Sequence, residues 1–213
     1  MKSYPTINYW NKGYFGDPCF AFEKLDGSNI RAEWSKKQGW YKFGSRHQMI
    51  DDTNAQLGQA VTLFREKYSE DLAKVFKDKY RECQNFVVFF EYLGDKSFAG
   101  WHDPNDKTMR VVLFDVSQYK RGFIEPKEFV KNFGHLSIPD VIYEGTYTKN
   151  LVHQIKESNL DEGVVVKGIR KKLVWMVKIK TNKWFDRLRN LQGEIALHKE
   201  LNNDHSLIED LVQ

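Results

Sequence analysis

Cysteine is scarce. Two residues in 213, Cys19 and Cys83, cannot build a disulfide framework or a four-ligand zinc site. Five prolines and 14 glycines exclude collagen-like and mucin-like chains. No apolar run approaches the ~18 residues of a membrane span; the longest clean one is Phe86 to Phe90. The opening residues, Met-Lys-Ser-Tyr-Pro-Thr, lack the apolar stretch of a secretion signal. Repeats, low-complexity tracts and Pro/Ser-rich linkers are missing too. The expectation is a soluble, cytoplasmic globular protein with no membrane partner. It is read as one domain over residues 1–213, with 181–213 as a short helical tail. The six histidines suggest no zinc site, and His102 in Trp101-His102-Asp103 reads as a loop residue.

Aromatic residues, by contrast, make up 15% of the chain, and six tryptophans can fill a sizeable core. The net charge is only +4, but it is unevenly placed. From Lys167 to Arg189 nine basic residues face one acid, Asp186; that window carries +8 and leaves −4 for the rest. A local basic patch on a near-neutral body points to a polyanion such as nucleic acid or a nucleotide phosphate.

Periodicity divides the chain into strands and helices. Residues 18–25 and 29–36 read as strands flanking the turn signal Asp26-Gly27-Ser28, and 40–44 as a third strand. Between Thr53 and Tyr80, Leu57, Val61, Phe64, Tyr68, Leu72 and Phe76 recur at helical spacing, with Thr53 a candidate cap. Residues 86–92 and 110–116 are β-rich, 128–133 and 149–158 read as short helices, and 163–167 and 173–180 as a hairpin. The chain after Trp184 is again helical. Strands mostly in hairpin order with intervening helices predict an α+β fold of antiparallel sheets.

Three places could carry chemistry. Lys24 ends an apolar strand just before a tight turn; a lysine there is either solvated or a nucleophile, and nucleophilicity requires nearby cations or desolvation. In Asp161 to Lys167 and Val174 to Lys180, a hairpin centred near Lys171 pairs positions whose numbers sum to about 342. Glu162 then faces Lys180, with Lys178 one step away on the same face. This register needs an odd-numbered turn or a bulge near Arg170 to Lys172. Lys178 and Lys180 would clamp a phosphate, and Glu162 would hold a divalent cation, or the three simply form salt bridges. Glu91 places an acid inside the apolar run from Phe89 to Leu93, where it must be paired or used. Phe114 is either core or a base-stacking ring.

Taken in order, these pieces resemble the motif series of the covalent nucleotidyltransferase superfamily, which contains ATP-dependent DNA and RNA ligases and mRNA capping enzymes. Lys24-Leu25-Asp26-Gly27-Ser28-Asn29 resembles the nucleophile motif Lys-x-Asp/His-Gly-x-Asn/Arg. Residues 90–94 resemble the third motif, 112–116 the strand that follows it, 162–167 the fourth and 177–180 the fifth. Asn29, where DNA ligases and capping enzymes usually carry Arg, and Gly44-Ser45-Arg46 resemble the phage and RNA-editing type of RNA ligase.

The resemblance implies an ATP-grasp-like nucleotidyltransferase core of antiparallel sheets with flanking helices. It implies ATP and Mg²⁺ (or Mn²⁺), and RNA ends or a nicked duplex as partner. It also implies Lys24 as nucleophile, Glu91 on the ribose, Phe114 on adenine and Asn29 and Arg46 on phosphates. Glu162 would bind metal and Lys178 and Lys180 the α-phosphate, with Glu23, Leu25 and Lys167 as further nucleotide contacts. Only 33 residues follow Lys180, too few for the oligonucleotide-binding barrel of DNA ligases. A partner supplying nucleic-acid binding is therefore one expectation, and Asp26 is closer to the DNA-ligase form. The alternatives are a DNA ligase or other end-adenylating enzyme, a non-catalytic nucleic-acid-binding module of the same fold, and a metal nuclease.

Overall fold

A computed structural model describes residues 3–46, 48–94 and 107–201. His102 and the end of the tail lie outside the described residues. The chain divides into two units: unit 1 contains the described residues of 1–5 and 26–139, unit 2 contains Thr6–Leu25 and the described residues of 140–213. The division falls between Leu25 and Asp26, inside the motif around Lys24.

Unit 1 is a six-stranded antiparallel sheet in the order β5-β4-β3-β6-β7-β8. Its strands are β3 (Ser28–Ser35), β4 (Gly39–Ser45), β5 (Met49–Ile50), β6 (Asn85–Leu93), β7 (Arg110–Gln118) and β8 (Gly122–Phe123). Because side chains alternate along a strand, Ile30, Trp34, Phe86 and Phe90 share one face. There α1 (Gly58–Lys79) lays its Val61, Phe64, Tyr68, Leu72 and Phe76 stripe. Phe76 stacks on Phe86 with centroids 3.9 Å apart, and Phe64 on Phe90 at 4.7 Å. The short helix α2 (Pro126–Phe133) buries Phe129 and Phe133.

Thr53 does not cap α1, which begins later, at Gly58. Thr53 instead donates to Asp51, while the Asn54 side chain accepts from the amides of Gln56 and Leu57. Two polar residues close in sequence compete for the same backbone donors, and here Asn54 takes the ones beside the helix.

Unit 2 is a five-stranded sheet in the order β1-β11-β10-β2-β9. It uses β1 (Asn8–Tyr9), β2 (Pro18–Glu23), β9 (Val141–Thr146), β10 (Gly163–Arg170) and β11 (Leu173–Lys180). All its pairings are antiparallel except β1 with β11. One face carries Cys19, Ala21, Val164, Val166, Trp175, Val177 and Ile179. The helix α3 (Lys149–Lys156), capped by Thr148, packs Leu151, Val152 and Ile155 against it. The last helix, α4 (Asn182–Leu201), is interrupted at Gly193. The α+β fold with antiparallel sheets and flanking helices is as the sequence pattern implies, and no barrel closes among the described residues.

The register of the β10–β11 hairpin differs from the expected one. Paired positions sum to 343, with Gly163 opposite Lys180 and Arg170 opposite Leu173. The loop is therefore the two residues Lys171 and Lys172, at φ +50° and +65°. A two-residue turn that follows the strand twist needs positive φ at both positions. Lysines are poor residues for it, and the hairpin expected from a centre at Lys171, with an odd-numbered turn or a bulge, is off by one position.

Candidate active site

The second face of the unit 2 sheet is a lysine face. Lys167, Lys178 and Lys180 share it by register, opposite the face under α3. Phe20 and Phe22 belong to it as the β2 partners of Lys167 and Val165. Lys24 follows one residue beyond β2, and its amide donates to the Gly163 carbonyl at 2.8 Å, so the ladder continues to the nucleophile candidate. Lys24, Gly163 and Lys180 thus form a row across three neighbouring strands.

Glu162 sits at the mouth of this row. Its Oε2 atom accepts from Lys24 Nζ at 2.8 Å, and its Oε1 atom lies 3.1 Å from Lys180 Nζ. The carboxylate is 3% exposed, Lys180 5% and Lys24 23%. Burial pushes the Glu162 carboxyl up, but the ammonium groups of Lys24 and Lys180 outweigh it and hold it below its ordinary value. Burial likewise draws Lys180 below its ordinary value, against the pull of Glu162.

Gly163 makes this placement possible. At φ +136°, a Cβ there would lie 2.0 Å from the Ile179 carbonyl oxygen. Only glycine lets the backbone turn there and present Glu162 to both lysines.

Lys178 does not reach Glu162 as the hairpin reading had it. It lies 2.8 Å from Glu200 of α4, with its Nζ 4.2 Å from the centroid of the Tyr9 ring. Lys167 is buried further along the face, its Nζ 5.0 Å from the Phe22 ring. Glu23 and Leu25, half-buried, flank Lys24; the Glu23 amide donates to the Asp140 carbonyl.

Unit 1 carries the other candidates on the sheet face opposite α1. Asn29 pairs with Glu91, and Glu91 with Val112. Glu91 Oε1 accepts from the Gly27 amide at 3.1 Å, and a Cβ on Gly27 would collide with the Tyr92 carbonyl at 2.5 Å. The acid is thus used to fix the turn of the nucleophile motif. Phe114 is the extra residue of a β-bulge: Phe89 opposes Asp115 while Phe90 opposes Leu113. Bulges re-aim side chains, and Phe114 is the half-exposed residue in the otherwise buried run from Val111 to Ser117. Tyr4 packs edge-on to it at 5.0 Å and donates to buried Asp115. Arg46 is exposed just past β4.

Sequence reasoning missed Glu200 and Tyr9. Glu200 Oε1 accepts from the Tyr9 hydroxyl at 2.7 Å and contacts Lys178 at 2.8 Å and Lys180 at 3.0 Å. Burial opposes its charge, yet Lys180 and Lys178 hold its carboxyl well below the ordinary range. Among the described residues no three of His, Cys, Asp and Glu gather to hold a metal. Glu162, which shares Lys180 with Glu200, would offer a divalent cation one carboxylate, the rest of its shell coming from phosphate and water oxygens.

Comparison with solved structures shows the same fold. A mutant of Naegleria gruberi RNA ligase with ATP and Mn matches with a TM-score of 0.66 and 13% identity, over 89% of this chain and 59% of that one. Another mutant of that ligase, with AMP and Mn, gives 0.64 and 14% over 87% and 57%. An apo mutant gives 0.63 and 12% over 88% and 58%. The chain thus spans a little under three fifths of the length of these structures. No curated protein matches the sequence. The RNA ligase family model, however, matches residues 17–185, from the start of β2 into α4 and across every motif from Lys24 to Lys180. The chain belongs to the RNA ligase family.

Proposed function

We propose that the chain is an ATP-dependent RNA ligase acting through a covalent lysyl-AMP at Lys24. The observation that carries this reading is the row of Lys24, Glu162 and Lys180, two buried charges and a strand-end amine held together on a lysine face. Membership of the RNA ligase family and the ATP and AMP in the related structures support it.

In the first step the Lys24 amine, released from Glu162, attacks the α-phosphorus of ATP. A P–N bond forms, the bond to pyrophosphate breaks, and a proton leaves the amine. AMP then passes to the 5′-phosphate of an RNA, which frees the lysine. Finally a 3′-hydroxyl attacks the activated phosphate, a phosphodiester forms and AMP leaves. Lys178 and Lys180 hold the α-phosphate, while Lys167, Glu23 and Leu25 border the nucleotide. Asn29 and Arg46 orient phosphates, Glu91 binds the ribose and Phe114 stacks on adenine. Glu162 would face a divalent cation, Mg²⁺ or Mn²⁺, whose chemistry is to neutralise phosphate charge. The role is RNA repair in the cytoplasm of a cell or of a phage's host, and a protein partner could add nucleic-acid binding.

Joining assays test the substrate class. With ATP and Mg²⁺, a 5′-phosphate and a 3′-hydroxyl on RNA should be sealed, the same ends on DNA far more slowly and a 5′-hydroxyl not at all. Faster sealing of DNA would favour a DNA ligase instead.

A further inference from the structure

The lysine face already holds a carboxylate that no strand supplies. One oxygen of Glu200 meets three donors, the Tyr9 hydroxyl, Lys178 Nζ and Lys180 Nζ, all within 3.0 Å. An exposed ion pair engages one partner loosely; three donors on one oxygen is the pattern of a built anion site.

The donors are held in place by more than Glu200. Tyr9 is 2% exposed, packed with Trp184, Phe185, Leu188 and Leu197. The Lys178 ammonium lies against the Tyr9 ring, and Lys180 Nζ is 3.2 Å from the centre of the Trp184 ring. Removing the carboxylate would leave a preformed site for another anion.

Glu200 is also the member best able to leave. Its side chain is 25% exposed, against 5% for Lys180. It lies beyond the interruption at Gly193, whose φ of +78° and ψ of 177° are not helical. Leu197 keeps this final helical piece packed on Tyr9, Trp184, Phe185 and Leu188, so the Glu200 side chain can swing away on its own torsions while the donors stay in place.

We propose that Tyr9, Lys178 and Lys180 form one anion site, and that Glu200 is an internal competitor which a nucleotide phosphate displaces. The inference rests on the reading of Lys178 and Lys180 as phosphate ligands. It adds Tyr9 as a further phosphate donor, and gives Glu200 the work of keeping two ammonium groups together while the site waits for its nucleotide.

The test is the rate of AMP-adduct formation against ATP concentration for the whole chain, in wild type, Glu200→Gln and Tyr9→Phe. Glu200→Gln should lower the half-saturating ATP concentration about tenfold, because the competing charge is gone. Tyr9→Phe should raise it about fivefold through loss of a donor. Glu200→Asp keeps the charge with a shorter reach, so it should shift the value the same way as Glu200→Gln but less, and it serves if the glutamine variant folds poorly. A rise, or no change, with Glu200→Gln or Glu200→Asp would overturn the proposal. So would a fall with Tyr9→Phe, which would mean that Tyr9 only anchors Glu200. Inorganic phosphate separates this inference from the ligase reading: it should raise the melting temperature of Glu200→Gln more than that of wild type even if no adduct forms. Absence of any adduct in wild type would sink the ligase reading, while equal phosphate stabilisation of the two proteins would sink this one.

Discussion

The sheets of units 1 and 2 each bury one face under a helix, α1 in one and α3 in the other, and carry their candidate polar side chains on the opposite face. What they place there differs. Unit 2 presents Lys24, Lys167, Lys178 and Lys180, with Glu162 and Glu200 as counterions. Unit 1 presents Asn29 and Glu91 with the bulged ring of Phe114. The same architectural rule, alternation along a strand under a helix, yields a cationic surface in one unit and an aromatic, hydrogen-bonding one in the other. Under the proposed function the first surface would suit phosphates and the second a base or sugar. The contrast therefore predicts that damage to unit 2 will act on charge and chemistry, and damage to unit 1 on nucleotide affinity.

The largest expected effect comes from breaking the buried charges of unit 2. Glu162→Gln leaves Lys24 and nearly buried Lys180 without their shared carboxylate and should cost about 3 kcal/mol at neutral pH, read by urea unfolding. The folded carboxyl lies below its ordinary value of 4.5. Its contribution is thus fully present above that value and is lost as the pH falls through the lower, folded one. Wild type and variant should converge in acid; a constant difference across that range would mean the loss was packing and not charge.

A smaller, different effect should follow in unit 1. Phe114→Ala removes a half-exposed ring, and base stacking is worth about 1–3 kcal/mol. The half-saturating ATP concentration for adduct formation should rise about tenfold, with the maximal rate retained. Unchanged ATP dependence with lowered stability would return Phe114 to the core.

Much of this was legible in the sequence. The period of Val61, Phe64, Tyr68, Leu72 and Phe76 marked α1, and apolar runs marked β2, β6, β7, β10 and β11. The edge strand β9 was not legible: none of its residues is buried, and Val-Ile-Tyr-Glu-Gly-Thr shows no apolar–polar alternation in residue type. The bulge at Phe114 and the register of the β10–β11 hairpin depend on pairing partners that the local sequence does not name. Glu200 lies 22 residues from Lys178 and 191 from Tyr9, in a stretch whose sequence marks a helix but not the strand it meets. The packing of Leu197 with Tyr9, Trp184, Phe185 and Leu188 and the bonds of Glu200 dock this part of α4, and all of them need partners distant in sequence.

The smallest effect concerns the hairpin tip. Lys171→Asn with Lys172→Gly supplies the residues that a two-residue turn with positive φ prefers, and should stabilise the fold by about 1 kcal/mol. Thermal melting checks it; destabilisation would show that the lysines make contacts worth more than their backbone strain.

The central claim is that Lys24 becomes covalently attached to AMP. Intact-protein mass after incubation with ATP and Mg²⁺ tests it directly, beside Lys24→Ala with its fold checked by circular dichroism. A gain of one AMP in wild type and none in the folded variant is the expected result. An adduct that survives Lys24→Ala, or no adduct in wild type that binds ATP, would contradict it.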